Sequence, residues 1–130
     1  MQYAILCYDS EAIVGGWSKE KDDAVVAKSL ATKTALAAKG KMGPTLRLMP
    51  TTTATTIRAG NAPVVLDGPF AETKEQLLGL YIVDCADLNE AIEIAKQFLH
   101  GSGALEIRPI KALWKTASTD SPSPAPAGEG

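Results

Sequence analysis

Short apolar runs rich in β-branched and aromatic residues alternate with stretches of helical periodicity over most of the chain. The short runs predict strands, because such side chains pack well on a pleated surface. The stretches with apolar residues three and four positions apart predict amphipathic helices. The predicted order is a strand at 2–8, a helix from Ser18 to Gly40, strands at 45–49, 53–58 and 64–67, a strand at 78–85, a helix starting at Asp87 and a last strand at 104–110.

Both predicted helices carry start signals. Ser18 precedes a cluster of carboxylates, which favours a helix N-terminus, and Asp87 is followed three residues later by Glu90, the spacing of a capping box. The first helix also has a stripe of small side chains, which we expect to pack closely against a sheet. Val25 and Leu36 fall outside this stripe, and the sequence leaves their environment open. The stripe consists of Ala24, Ala27, Ala31, Ala35 and Ala38.

The order of predicted elements indicates an α+β fold. Strands and helices alternate with one extra hairpin, which fits two split βαβ halves in a ferredoxin-like sandwich with helices on one face of the sheet. The other face of so small a sheet would expose a large apolar patch. We therefore expect that face to be covered by a second copy of the chain, giving a homodimer.

Composition limits the remaining possibilities. The chain has 130 residues with 45% hydrophobic content, enough for one domain, which we place at 1–115. Residues 116–130 are rich in Pro, Ser and Ala and lack large apolar side chains, which predicts a flexible tail. A net charge of -2 argues against binding nucleic acid. No segment has the length of a membrane span or the basic start of a signal peptide, so we expect a cytoplasmic protein.

One charged segment, Asp67–Glu75, lies between two apolar runs. Gly68 can adopt positive φ and Pro69 fixes φ, so the chain must turn directly after Asp67 and leave this carboxylate at a strand end. The aspartate is then either a turn residue that binds nearby amides or a group with a chemical role. A second carboxylate, Glu72, favours acid–base chemistry at Asp67, whereas Lys74 would stabilise the charged form.

The cysteines and the single histidine offer little classical chemistry. Cys7 and Cys85 lie in or at the end of apolar runs on strands predicted to be adjacent and antiparallel, with the two thiols at opposite ends, so we expect free thiols. No metal-ligand spacing or cofactor motif is present. His100 is interpreted either as a residue at the C-terminus of the second helix or as a proton shuttle facing Asp67. Ser102 is the only serine near it in sequence, and we interpret its hydroxyl as a turn group.

The segment DGPFAETKEQLLGLY, followed by Leu105–Pro109, resembles the DGPF branch of the YCII-related (YciI-like) family. The resemblance extends over about the first 115 residues and includes Cys7-Tyr8-Asp9, Gly43-Pro44 and the threonine-rich run ending at Arg58. It implies a ferredoxin-like fold and a dimeric α+β barrel in a family whose activity is mostly unassigned. Some members are associated with a His-Asp pair whose histidine lies near the first helix. This chain has no histidine between Tyr8 and Gly40, so that pair is not carried over.

Two functional hypotheses follow. In the first, the protein binds a small polar molecule in a cleft near Asp67 and acts as a cofactor-independent enzyme of lyase or isomerase type. Asp67 would be the acid–base group, and Tyr8, Glu72, Lys74 and Arg108 would orient the substrate. The alternative is a non-catalytic interaction module, accessory to transcriptional regulation through a protein partner such as a sigma factor, with which relatives are often associated.

Overall fold

A four-stranded sheet forms the body of the protein in a computed structural model that describes residues 1–114. The predicted tail at 116–130 lies outside the described residues. A second, two-stranded sheet is a hairpin. In chain order the elements are β1 (Gln2–Asp9), α1 (Glu11–Gly15), α2 (Lys19–Ala38), β2 (Met42–Arg47), a 3-10 turn (Thr51–Thr53), β3 (Thr55–Arg58), β4 (Val64–Asp67), β5 (Gln76–Asp84), α3 (Leu88–Lys96) and β6 (Ala104–Pro109).

The four-stranded sheet is antiparallel and has the order β2-β5-β1-β6. Across the sheet, Ile5 of β1 lies opposite Tyr81 of β5 and Ile107 of β6. Tyr8 lies opposite Ala104, so the end of β1 meets the start of β6. The prediction of a mixed α+β fold is confirmed, and this strand order is compatible with a ferredoxin-like arrangement. The dimeric barrel stays a prediction.

The core lies between one face of this sheet and the helices. Ile5 and Val83, both with no exposed surface, form its centre on adjacent strands. Successive side chains of a strand point to opposite faces, so Leu6 and Ile82 lie on the other face, where they are half-buried. The buried apolar residues are Tyr3, Ile5, Leu36, Val83, Cys85, Ala91, Ile94, Ala95 and Phe98.

The start signals of both helices are confirmed. The Ser18 hydroxyl accepts a hydrogen bond from the Lys21 amide at 3.1 Å, and the Asp87 carboxylate accepts one from the Glu90 amide at 2.9 Å. The Glu90 side chain in turn accepts from the Ala86 amide at 2.8 Å. The arrangement resembles a capping box, except that the Glu90 side chain binds the amide of Ala86, the residue before the N-cap, instead of that of Asp87.

The predicted packing face of α2 is wrong. All five alanines of the stripe are exposed, whereas Leu36 is only 5% exposed and Val25 is half-buried. Residues 25, 29, 33 and 36 recur at helical spacing and face the sheet. The half-buried side chains on this side of α2 point toward the sheet but do not fill the space between the helix and the sheet, which leaves a cavity. Leu36, near the C-terminal end, is the one buried residue of this helix.

Three local features differ from the sequence prediction. The segment after β1 forms the short helix α1, capped by the Ser10 hydroxyl, instead of a loop. Its Glu11 carboxylate accepts hydrogen bonds from the Thr51 amide and hydroxyl, which fixes a 3-10 turn before β3, so the strand predicted at 53–58 begins at Thr55. β2 begins at Met42, with a register shift before Thr45 around the Gly43-Pro44 pair. Proline is tolerated there because β2 is an edge strand.

The hairpin of β3 and β4 forms as predicted, with Thr55 opposite Asp67. Every residue of β4 is exposed. Within residues 1–114, no helix has the length and apolar character needed to cross a membrane.

Candidate functional site

A cavity of about 220 Å³ lies between α2 and the helix-covered face of the sheet. It exists because the alanine side of α2 faces away and the half-buried residues of its other side do not fill the space above β5 and β1. Apolar side chains make up most of the wall, and polar groups enter it from α2, β1, β2, β5 and the segment after α3. These polar residues are Cys7, Asp22, Ser29, Lys33, Arg47, Tyr81 and His100.

The single histidine of the chain lies in this wall beside a buried carboxylate. Asp9 ends β1 and is 3% exposed. Its Oδ1 accepts a hydrogen bond from the Ser10 amide at 2.8 Å, and its Oδ2 accepts one from the Ser102 hydroxyl at 2.8 Å. His100 Nε2 lies 3.8 Å from the same Oδ2. The imidazole also packs edge-on against Trp17, with 5.0 Å between ring centroids.

Glycine is required where the loop before β6 closes over Asp9. Gly103 has φ of +78°, and a Cβ placed on it would lie 2.3 Å from the Tyr8 carbonyl oxygen and 2.9 Å from Asp9 Cγ. No side chain fits at that distance. The backbone of this loop therefore approaches the end of β1 closely enough for Ser102 and His100 to reach the carboxylate.

This arrangement is not a Ser-His-Asp triad. In a triad the serine bonds to the histidine, which takes its proton. Here Ser102 donates to Asp9 instead, so Asp9 is shared by the serine and the histidine. His100 Nδ1 is buried and has no hydrogen-bond partner among residues 1–114. The geometry supplies a positioned acid–base group without an activated serine.

Two further polar groups of the wall are neutral at neutral pH. Burial raises the pKa of the Cys7 thiol to about 11, and burial also raises the pKa of the Tyr81 phenol. The Tyr81 ring is stacked on Phe98 with 4.3 Å between centroids, which fixes its position. Since the nucleophilic form of cysteine is the thiolate, Cys7 is not a nucleophile here, and its thiol donates to the Ile5 carbonyl oxygen at 3.9 Å. Cys7 and Cys85 are both free thiols, as expected.

The predicted substrate-site residues lie elsewhere. Asp67 is exposed at the end of β4, and its carboxylate makes no hydrogen bond within the described part of the chain. Gly68 has the expected positive φ, at 97°, and in the irregular segment after it the Thr73 hydroxyl and the Gln76 side-chain amide donate to local carbonyls. Glu72 and Lys74 are exposed in this irregular segment.

Tyr8 and Arg108 belong to a different surface. The Tyr8 hydroxyl donates to Glu106 at 3.2 Å, and the alternation of β6 places Arg108 on the same face as Glu106. This is the face of the sheet without helices. None of the five residues predicted for the site lines the cavity. Their roles in catalysis or binding stay predictions.

His100 is neither of the two things that sequence suggested. α3 ends at Lys96 with Gln97 as its cap, so His100 lies beyond the helix terminus. The acid beside it is Asp9 rather than Asp67. The predicted first strand ends at residue 8 and leaves Asp9 just outside it, although Asp9 follows an apolar run just as Asp67 does. The signal that finds it is topological: with β1 and β6 antiparallel and adjacent, the residues before β6 must meet the end of β1.

A metal centre would need a cluster of ligating side chains. Within residues 1–114, no group of three or more His, Cys, Asp or Glu side chains is arranged to hold a metal ion.

Comparison with known proteins identifies the family. Residues 1–114 match the YCII-related domain. An uncharacterized protein of Rhizobium meliloti (strain 1021) is 46% identical over 119 residues, which cover 88% of this chain and 95% of the relative. The family match over residues 1–114 includes all the elements that line the cavity and carry Asp9 and His100.

Proposed function

The chain belongs to the YCII-related family, and we propose that it binds a small molecule in the cavity under α2 and transfers a proton on that molecule through His100. The observation that carries this proposal is the imidazole in the cavity wall beside the buried Asp9 carboxylate. We also assign the chain to the DGPF type of the family, on the basis of residues 67–70.

Histidine suits this role because its charge changes near neutral pH. Nε2 of His100 faces Asp9, so a proton from a bound molecule would be taken at Nδ1, which is buried in this structure and would have to turn toward the cavity. The positive charge that forms would lie beside Asp9 and be stabilised by it. The separation of 3.8 Å is longer than a hydrogen bond, and such contacts commonly tighten when a substrate binds. A group that removes a proton at one atom and returns it at another supports a lyase or isomerase reaction without a cofactor.

The polar hydrogen of Tyr81 completes the chemistry. The phenol is protonated at neutral pH and lines the cavity with His100. A carbonyl or enolate oxygen of the bound molecule would accept a hydrogen bond from it. A donor fixed by the fold stabilises charge that develops on such an oxygen during proton abstraction. The cavity therefore combines a base with a group suited to the oxygen that becomes negative.

We propose further that two copies of the chain associate through the helix-free face of the sheet. Ala4, Leu6, Leu80 and Ile82 alternate onto this face and keep part of their surface exposed. Leu46, next to Leu80 in the ladder, is 46% exposed. An apolar patch across neighbouring strands favours association. The predicted role of Asp67 also belongs to this proposal, because a second copy could bring a cleft to this exposed residue.

The single histidine allows a direct test. A library of small metabolites is screened by thermal shift against the wild-type protein, and each hit is added to 15N-labelled protein while the imidazole resonances are followed. Ligands of the cavity should move the His100 signals. They should not stabilise Val25→Trp, which places a large side chain in the cavity wall, or be turned over by His100→Gln.

The exposed Val65→Trp on β4 is the matched control, since it adds the same side chain away from the cavity. Hits that stabilise wild type and Val25→Trp equally, without moving the His100 signals, would place the binding site elsewhere and contradict the proposal. Cavity binding without turnover by wild type would retain a ligand-binding role and remove the enzymatic one.

A further inference from the structure

The cavity contains two positive charges that its acid–base chemistry does not use. We propose that the ligand is a small carboxylate whose anionic group binds between Lys33 and Arg47, while its apolar body occupies the rest of the cavity. This inference rests on the proposed function of the cavity and adds the chemical class of its ligand.

Lys33 and Arg47 are cations without acidic partners in the described structure. Neither lies within 4.0 Å of a carboxylate among residues 1–114, although both line the cavity. By contrast, Lys19, Lys41 and Lys96 each pair with an acidic side chain. Lys33 is half-buried and Arg47 is exposed, so the lack of a counter-ion matters chiefly at Lys33, because a charged group in a partly enclosed site is stabilised by one. An anionic ligand would supply the counter-ion that the described residues do not.

The sheet register places Arg47 toward the ligand space. Arg47 lies opposite Gly79, and Gly79 lies opposite Cys7, so the side chains of Arg47 and Cys7 project from the same face with a gap between them. Gly79 carries no side chain and lines the cavity, so its backbone forms a floor between Arg47 and Cys7. A Cβ on Gly79 would lie 2.3 Å from the Leu46 carbonyl oxygen, so it would collide with the backbone of β2 rather than fill this space.

Lys33 approaches the same floor from α2. Its ammonium lies 5.2 Å from the centroid of the Tyr81 ring, a distance at which the ring face attracts a cation. Tyr81 follows Gly79 by two residues on β5 and therefore shares its face. Lys33 and Arg47 thus reach the region above Gly79 and Tyr81 from opposite layers of the fold.

The positive field also acts on the neighbouring acids. Burial is the main cause of the raised pKa of Cys7, and the charge of Lys33 partly offsets it. Burial is likewise the main cause of the raised pKa of Tyr81, and the charge of Arg47 lowers that pKa. The one acid in the cavity wall, Asp22, lies eleven residues before Lys33 on α2, roughly 16 Å along the helix axis. It does not neutralise this end of the cavity.

Size and lining define the remainder of the ligand. The volume of about 220 Å³ is below the roughly 300 to 1,000 Å³ of pockets for drug-sized molecules. Trp17, Val14, Val25 and Leu30 provide an apolar and partly aromatic wall. A compact aryl or branched alkyl group bearing one carboxylate fits this combination, whereas a nucleotide or a peptide does not.

Benzoate and its neutral isostere benzamide test the inference on the full chain by calorimetry and thermal shift. We expect benzoate to bind at least roughly tenfold more tightly than benzamide, with weaker binding at high salt. Lys33→Gln and Arg47→Gln should each weaken benzoate roughly five- to tenfold and leave benzamide unchanged. Lys39→Gln alters the net charge equally outside the cavity wall and should change neither. Lys33→Arg keeps the charge and should retain benzoate.

Each outcome has a defined meaning. Equal binding of the two probes, lost in Val25→Trp, would overturn the carboxylate class and still support the cavity as a ligand site. Benzoate binding that is insensitive to both glutamine variants would overturn the site between Lys33 and Arg47. Absence of benzoate binding up to about 10 mM would also overturn the inference, while the proposed function would still be decided by the His100 resonances in the metabolite screen.

Discussion

Asp9 ends β1 and Asp67 ends β4, and their replacement by alanine should differ strongly in its effect on stability. Asp9 is buried and accepts hydrogen bonds from the Ser10 amide and the Ser102 hydroxyl, with His100 beside it. Asp67 is exposed and accepts none within the described residues. The pair therefore compares one residue type at similar local positions in two environments.

The magnitude follows from the groups that Asp9→Ala leaves without a partner. A hydrogen bond to a charged group contributes about 1.5–3 kcal/mol, and a buried donor left unsatisfied costs about 1–3 kcal/mol. Water can reach some of these groups after truncation, so we expect a total loss of about 3 kcal/mol. For a domain of this size that corresponds to a Tm lower by about 10 °C. Asp67→Ala should change the free energy of unfolding by less than about 0.5 kcal/mol.

Urea unfolding followed by circular dichroism measures both variants, with the unfolding slope checked for two-state behaviour. Ser102→Ala serves as an intermediate case, since it removes one of the donors and should cost about 1 kcal/mol. A result in which Asp9→Ala and Asp67→Ala are equally stable would refute the reasoning, because it would mean that the buried carboxylate is not held by these contacts.

Three further predictions concern other parts of the protein. The raised pKa of Cys7, from 9.0 to about 11, gives about a hundredfold smaller thiolate fraction at neutral pH, so alkylation followed by mass spectrometry should be slow in the native state and fast after unfolding. The hydrogen bond from the Lys41 ammonium lowers the pKa of Glu90 below its ordinary 4.5. This pair therefore stabilises the fold above pH 4.5 and loses its effect as the pH falls through the lowered pKa. The Tm difference between wild type and Glu90→Gln should shrink as the pH is lowered over that range. Ile82→Asp on the helix-free sheet face should yield a folded monomer by light scattering, and a monomeric wild type at micromolar concentration would contradict association through that face.

Much of the fold could be predicted from the sequence because its signals are local. The caps at Ser18 and Asp87 act within three residues of themselves, and the turn at Gly68 depends on one backbone angle. The packing face of α2 was mistaken because composition does not say how far a helix stands from its sheet. Its alanines would suit close contact, but the structure leaves a cavity there and turns Leu36 inward.

The site was harder to predict because its groups are distant in sequence. Asp9 and Ser102 are 93 residues apart, and only the pairing of β1 with β6 brings them together. The sequence prediction favoured Asp67 instead, because several charged residues lie close to it along the chain. Charges that cluster along the chain are often those that solvent can reach, whereas a single carboxylate after an apolar run can be buried if its strand is central.

Burial of Asp9 also explains why its charge merits a separate test. If the carboxylate served stability alone, asparagine would replace it with little loss, because its amide oxygen can still accept from the Ser10 amide and its NH2 group can donate to the Ser102 hydroxyl oxygen. Asp9→Asn should then remain within about 1 kcal/mol of wild type. It cannot, however, stabilise a positive charge on His100. We therefore expect Asp9→Asn to fold and to bind cavity ligands normally, but to lose turnover and to alter the His100 imidazole resonances. Unchanged turnover in this variant would show that the carboxylate only holds the loop that carries Ser102 and His100.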